Sequence, residues 1–162
     1  MIVVSDTTPL NYLILIGQID LLHRLYGQVL VPTTVALELK HLRAPSAVRA
    51  WMESPPPWLE TRDVDVAEES ESLLDAGELA AITLAEALHA DLLLIDDRNG
   101  YQEAIRRNLR AVGTLGVLAD AASQHLIDLP QVLDQFQLAR TPSILPLLSP
   151  HIPKFHLSAM AT

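Results

Sequence analysis

The chain has 162 residues, of which 49% are hydrophobic and 4% aromatic. This is the size of one domain, with enough Leu, Ile, Val and Ala to build a core. There is no cysteine, which excludes a disulfide framework, a thiolate nucleophile and a thiolate zinc site. The formal charge of -9 argues against a broadly basic nucleic-acid surface, but it does not argue against a site whose carboxylates hold cations.

The start of the chain lacks the basic segment of a signal peptide, and the apolar stretches are too short to span a bilayer. We therefore expect a soluble, cytoplasmic protein. In chain order the predicted elements are a strand at 2–5, helices at 8–16 and 19–25, a strand at 28–31, helices at 33–42 and 44–52, an edge strand at 58–64, a helix at 76–89, a strand at 92–95, a helix at 99–108, a strand at 110–112, and helices at 115–123 and 130–138.

Strands that alternate with helices indicate an α/β fold with a parallel, doubly wound sheet. An acidic stretch at 68–72 is predicted to be a solvated lead-in to the helix at 76–89. We expect one domain at 1–140, followed by an irregular, proline-rich tail at 141–162.

Carboxylates follow two of the predicted buried strands. Asp6 comes directly after the first strand, and Asp96 and Asp97 come directly after the strand at 92–95. Open parallel sheets place their sites at the carboxyl ends of the strands. If these two strands are neighbours, the acids face one crevice.

Two glutamates lie on helix faces that are otherwise apolar. Glu38 shares its face with Val35, Leu39 and Leu42, and Glu78 shares its face with Ala81, Ile82 and Ala85. An unpaired buried carboxylate is costly, and a bound divalent cation offsets that cost. Oxygen-only ligands select hard cations such as Mg²⁺ or Mn²⁺. The predicted metal ligands are therefore Asp6, Glu38, Glu78, Asp96 and Asp97.

Each acid also has an interpretation without chemistry. Asp6 could cap the helix that follows it, and Asp75-x-x-Glu78 could be a capping box. Glu38 could be a partly exposed helix residue, and Asp96 and Asp97 could be turn residues. The combined pattern of acids favours a phosphodiesterase, in which a metal polarises a phosphoryl oxygen.

Five blocks of this sequence resemble the PIN-domain family, in the family's order and over roughly residues 1–135. They are 3–10 (VVSDTTPL), 31–39 (VPTTVALEL), 75–85 (DAGELAAITLA), 93–98 (LLIDDR) and 112–118 (VGTLGVL). The combination is similar in particular to the prokaryotic branch related to VapC toxins of toxin–antitoxin pairs. The sequence departs from that branch after Arg98, where Asn99-Gly100-Tyr101 intervenes.

The resemblance implies a three-layer α/β/α sandwich with a mainly parallel sheet, single-strand RNA cleavage with Mg²⁺ or Mn²⁺, a homodimer and a cognate antitoxin. It places the family's catalytic acids on Asp6, Glu38, Glu78 and either Asp96 or Asp97, and we prefer Asp96 as the residue that faces the metal. The alternative function is a PIN-like binding or regulatory module without catalysis, which the net charge of -9 favours.

Two groups of cations could contact RNA. Arg98, Arg106, Arg107 and Arg110 surround one predicted helix, and Lys40, His41 and Arg43 end another. The favoured interpretation of both groups is a solvated charged face, in which the cations stabilise the partial negative charge at helix C-termini.

Overall fold

The computed structural model describes residues 1–67 and 72–141. Its elements in chain order are β1 (Val3–Ser5), α1 (Thr7–Leu15), α2 (Leu21–Tyr26), β2 (Val29–Pro32), α3 (Thr33–Lys40), α4 (Ser46–Trp51), β3 (Leu59–Arg62), α5 (Ala76–Ala87), β4 (Leu92–Leu94), α6 (Arg98–Arg106), β5 (Ala111–Val112), α7 (Thr114–Ser123) and α8 (Leu129–Ala139). Every strand and helix predicted from the sequence is present. Most of the acidic stretch at 68–72 and nearly all of the tail at 141–162 lie outside the described residues.

The five strands form one parallel sheet in the order β3-β2-β1-β4-β5. β1 lies at the centre, where Val3 pairs with Val29 of β2 on one side and with Leu92 of β4 on the other. β3 lies at one edge, as predicted, and among the described strands it pairs with β2 alone. The α/β class with a parallel, doubly wound sheet is therefore confirmed.

Alternate side chains of the strands enter two separate cores, because successive residues of a strand point to opposite faces. Val3, Val29 and Leu94 face the larger core, which contains residues of α1, α2, α3, α4, α7 and α8. Val4 and Leu93 face the smaller core, which is covered by α5 and α6. Helices thus cover both faces of the sheet, in a three-layer sandwich. Among the described residues, no helix combines the length and apolar character needed to cross a bilayer.

The face assigned to α3 needs one correction. Val35 and Leu39 are buried as predicted, but the side chain of Leu42 is 82% exposed. The helix ends at Lys40, and His41 has the extended backbone angles φ -65° and ψ 150°. Since the chain turns away before Leu42, the prediction that Leu42 shares the buried face of α3 with Glu38 is wrong.

The central position of β1 aligns two of the acidic strand ends. The Asp6 backbone N–H donates to the Leu94 carbonyl at 2.9 Å, so the chain leaves β1 directly beside the end of β4. The carboxyl ends of both strands therefore reach the same rim of the sheet, and the helices that begin there carry the candidate side chains.

Candidate active site

Asp6 lies at the start of α1 with only 2% of its surface exposed. It occupies the N-cap position, but its side chain makes no capping hydrogen bond, so the interpretation as a simple helix cap is wrong. The Oδ1 atom is buried and has no hydrogen-bond partner among the described residues. Burial raises the pKa of Asp6 to about 7; the adjacent Thr7 amide lowers it, while the negative charges of Asp75, Glu78 and Glu38 raise it.

Glu78 combines a capping role with a place among the acids. Its backbone N–H donates to Asp75 Oδ1 at 2.8 Å, and its Oε2 accepts from the Asp75 backbone N–H at 3.1 Å. The capping box is therefore present at the start of α5. The residue is only 7% exposed, and this burial raises the pKa of Glu78 above its ordinary value. The hydrogen bond from the Asp75 amide lowers the pKa, while the negative charges of Asp75, Asp97 and Glu38 raise it further.

Glu38 is half-buried and reaches from α3 to the first turns of two other helices. Its Oε2 accepts a hydrogen bond from the Thr7 hydroxyl at the start of α1. At the start of α5, a Cβ placed on Gly77 would lie 2.5 Å from Glu38 Oε2. A side chain at position 77 would displace the carboxylate, so Gly77 allows Glu38 to approach Asp6 and Glu78.

Asp96 is held by the residue that begins α7. Thr114 donates to it twice, from its backbone N–H to Oδ1 at 2.7 Å and from its hydroxyl to Oδ2 at 2.6 Å. The neighbouring Asp97 caps α6, and its Oδ2 accepts from the backbone N–H groups of Asn99 at 2.8 Å and Gly100 at 3.2 Å. Both aspartates line the same pocket as Glu78. The preference for Asp96 as the metal-facing residue stays a prediction.

Four of the five predicted acids line one or the other of two pockets. The first pocket, of about 480 Å³, is lined by Glu38 together with Thr7 and Arg43, and we call it the Glu38 pocket. The second, of about 470 Å³, is lined by Thr8, Tyr12, Glu78, Asp96, Asp97, Gly113, Leu115, Gly116, Phe136 and Arg140, and we call it the Glu78 pocket. Thr7 and Thr8 are consecutive, so each pocket includes one residue of the first turn of α1, and Asp6, which precedes that turn, lines neither pocket.

The donor set fits a hard divalent cation. Asp6 Oδ1 is a buried oxygen without a partner among the described residues, and burial, together with the negative charges of Asp75, Glu78 and Glu38, raises the pKa of its carboxyl. A cation would satisfy that oxygen and relieve the repulsion between the acids. Within residues 1–67 and 72–141, however, no three His, Asp or Glu side chains already stand in an arrangement that could hold a metal ion. Side-chain rearrangement would therefore have to accompany binding.

Several site residues were not assigned a role from the sequence. Thr7 and Thr114 are the hydroxyl donors to Glu38 and Asp96, and Arg140 lines the Glu78 pocket. Thr114 lies two residues after the end of β5, beyond Gly113, and this place near a strand's carboxyl end is a signal that could have identified it. Arg140 stands apart from both predicted cation groups.

Two arginines of the larger cation group form ion pairs with acidic side chains. Arg106 and Arg107 both bind Glu103, with N–O distances of 2.6 and 2.7 Å. Hydrogen bonds from these two guanidinium groups lower the pKa of Glu103 to about 2. The interpretation as a solvated charged face is supported for Arg106, whose side chain is 70% exposed, but not for Arg107, whose side chain is only 15% exposed.

Comparison with known proteins agrees with this geometry. Residues 2–141 match the sequence profile of DUF3368, a family described as a PIN domain. A PilT N-terminus domain protein from the hyperthermophilic archaeon Sulfolobus solfataricus P2 has a similar fold, with a TM-score of 0.54 and 16% identity over 75% of this chain and 93% of that chain. No curated protein matches the chain significantly in sequence. The profile spans most of the chain, and the chain belongs to the PIN-domain family.

Proposed function

We propose that the protein is a Mg²⁺- or Mn²⁺-dependent ribonuclease that cleaves single-stranded RNA. PIN domains in general are nucleases and typically use divalent metal ions. The observation that carries the proposal is Asp6 Oδ1, a buried carboxylate oxygen without a hydrogen-bond partner among the described residues. Glu38 and Glu78 approach the same carboxylate.

The proposed ligands of the ion are Asp6, Glu38 and Glu78, with Asp96 or Asp97. A divalent cation held there would supply Lewis-acid polarisation of a phosphoryl oxygen. Thr7 and the close approach at Gly77 hold Glu38 beside the start of α1. Thr114 fixes the orientation of Asp96 through both carboxylate oxygens. These contacts hold two of the acids near the rim of the sheet before any ion binds.

The same proposal extends to the toxin of a type II toxin–antitoxin pair, acting in the cytoplasm as a homodimer and restrained by a cognate antitoxin. Its support is the resemblance of the five sequence blocks to the VapC-like branch. A short reading frame for an antitoxin beside the gene would be the expected companion.

The test is cleavage of fluorescent single-stranded RNA by the full chain with and without Mn²⁺, compared with Asp6→Asn. The variant keeps the shape of the side chain and removes the charge that a metal ligand needs. We expect it to stay folded by circular dichroism and to lose cleavage by about a thousandfold, which is about 4 kcal/mol of transition-state stabilisation. Asp134→Asn, on the exposed side of α8, is the matched control and should cleave like the parent.

Equal cleavage by the parent and Asp6→Asn would contradict the proposal. The alternative, a PIN-like binding module, has one observation in its favour, because no described group of three side chains is already arranged to hold a metal. That alternative requires RNA binding without cleavage and no rise in melting temperature with Mn²⁺. The nuclease requires such a rise, since an ion that binds only the folded state must stabilise it.

A further inference from the structure

We propose that Arg43 and Arg140 are substrate-positioning residues that bind RNA phosphates on either side of the acids, so that one single strand spans both pockets. This inference rests on the proposed ribonuclease function. It assigns the path of the substrate, which neither the fold nor the carboxylates specify.

The arrangement of the two pockets is the first support. Thr7 lines the Glu38 pocket and Thr8 lines the Glu78 pocket, so both open beside the turn that carries Asp6. The adjacent residues Gly77 and Glu78 repeat this relation, because a Cβ on Gly77 would meet Glu38 of the first pocket, while Glu78 lines the second. A strand running from one pocket to the other therefore crosses the acids. Pockets of about 480 and 470 Å³ fall in the range of about 300–1,000 Å³ that accommodates small-molecule ligands, which is enough for a nucleotide.

The placement of cations is the second support. Arg43 is the arginine that lines the Glu38 pocket, and Arg140 is the arginine that lines the Glu78 pocket. Neither guanidinium forms an ion pair with a carboxylate of the described residues, in contrast to Arg106 and Arg107 on α6. A guanidinium presents paired N–H donors that match a phosphate. In a chain of net charge -9, local cations beside the acids are needed to attract a polyanion.

The orientation of Arg140 is the third support. Its guanidinium carbon lies 5.5 Å from the centre of the Phe136 ring, a cation–π contact that restricts a long side chain. Phe136 is itself only 4% exposed and packs edge-on against Tyr12 at 5.3 Å. Arg140 thus lies over a fixed aromatic support at the pocket wall, which reduces the entropy lost when it binds a phosphate.

A purely structural role is the competing explanation, because Arg140 caps the end of α8 and Arg43 follows the end of α3. Cations there stabilise helix C-termini. Such a role would lower the melting temperature when the charge is removed, but it would leave the Michaelis constant for RNA and its salt dependence unchanged.

The experiment measures cleavage of a mixed-sequence, fluorescein-labelled single-stranded RNA by the full chain and by Arg43→Gln, Arg140→Gln and the double variant, at several salt concentrations. We expect each single variant to raise KM about tenfold, the loss of one charged hydrogen-bonded contact, with kcat within about twofold of the parent. Each should also reduce the slope of log(kcat/KM) against log salt by about 0.7. Arg24→Gln, an exposed arginine on α2 that lines neither pocket, removes the same charge and should change neither quantity.

Binding of the same RNA by fluorescence anisotropy, in the Asp6→Asn background, separates this inference from the proposed function. Weaker binding on loss of either arginine supports the inference even if the parent cleaves nothing, in which case the nuclease alone fails. Arginine variants that match Arg24→Gln in binding, KM and salt slope would overturn it, whether or not the protein cleaves RNA. A fall in kcat at constant KM would overturn it as well.

Discussion

Replacing Asp6 by asparagine should stabilise the metal-free protein while removing its proposed activity. The carboxyl is nearly fully buried, and this burial is the main cause that raises the pKa of Asp6 from its ordinary 3.8 to about 7. Below pH 3.8 the carboxyl is protonated in both the folded and the unfolded chain, so its ionisation does not change the free energy of unfolding. Between pH 3.8 and about 7 only the unfolded chain ionises, so the folded state loses stability as the pH rises, and above about 7 the loss is complete.

The size of the effect follows from the two pKa values. Raising a pKa from 3.8 to about 7 corresponds to about 4 kcal/mol of stability lost at pH 8. The neutral amide of Asp6→Asn avoids this cost, but its buried N–H groups need acceptors, and any that stay unpaired reduce the gain. We therefore expect a gain of about 2 to 4 kcal/mol at pH 8, or roughly 5 to 15 °C in melting temperature for a domain of this size.

Thermal unfolding in EDTA from pH 4 to pH 8 measures this gain directly. The difference between Asp6→Asn and the parent should disappear towards pH 4 and grow towards pH 8, while Asp134→Asn follows the parent throughout. Excess Mn²⁺ should then stabilise the parent more than the variant. A variant no more stable than the parent at pH 8 without metal would refute the reasoning, because it would mean that the Asp6 charge costs the fold nothing.

Two further substitutions test the contacts that orient the acids. Thr114→Val removes a buried hydroxyl that donates to Asp96, so it should reduce cleavage and lower the free energy of unfolding, measured in urea, by about 1–3 kcal/mol. Thr83→Val is the control, because the Thr83 hydroxyl bonds the backbone of its own helix at Leu79, and it should cost less stability. Equal losses for the two variants would deny Asp96 a special role. Gly77→Ala places a methyl group 2.5 Å from Glu38 Oε2, so it should lower both RNA cleavage and the stabilisation by Mn²⁺. The far-ultraviolet circular dichroism should stay unchanged. Unaltered cleavage would show that Glu38 need not approach α5.

Most of the elements could be predicted from the sequence because they are apolar runs or amphipathic stretches bounded by turn residues, although α6 and β3 are mainly polar. The buried face of a helix could be predicted only where the predicted limits of that helix were right. Glu78 is followed by Ala81, Ile82 and Ala85, which are all buried. Leu42 was misplaced because an apolar residue continued the stripe of α3 beyond Lys40, and no glycine follows Lys40 to indicate that the helix ends there.

The partners of the acids could not be predicted because they depend on packing between distant segments. Thr114 meets Asp96 only because β5 lies beside β4 in a register that pairs Leu94 with Val112. Arg140 reaches the Glu78 pocket only because α8 returns to the rim of the sheet. Neither the register of β5 on β4 nor the position of α8 can be predicted from the spacing of residues along the chain.

The central position of β1 also has a consequence for the order of synthesis and folding. β1 needs two neighbours in the sheet, and β4 does not exist until residues 92–94 have been added. The backbone N–H of Asp6 bonds the Leu94 carbonyl, and Asp96 and Thr114 come later still. A nascent or truncated chain that ends before β4 thus lacks one side of its central strand. Because domains fold as units during synthesis, the acids cannot assemble until most of the domain has left the ribosome.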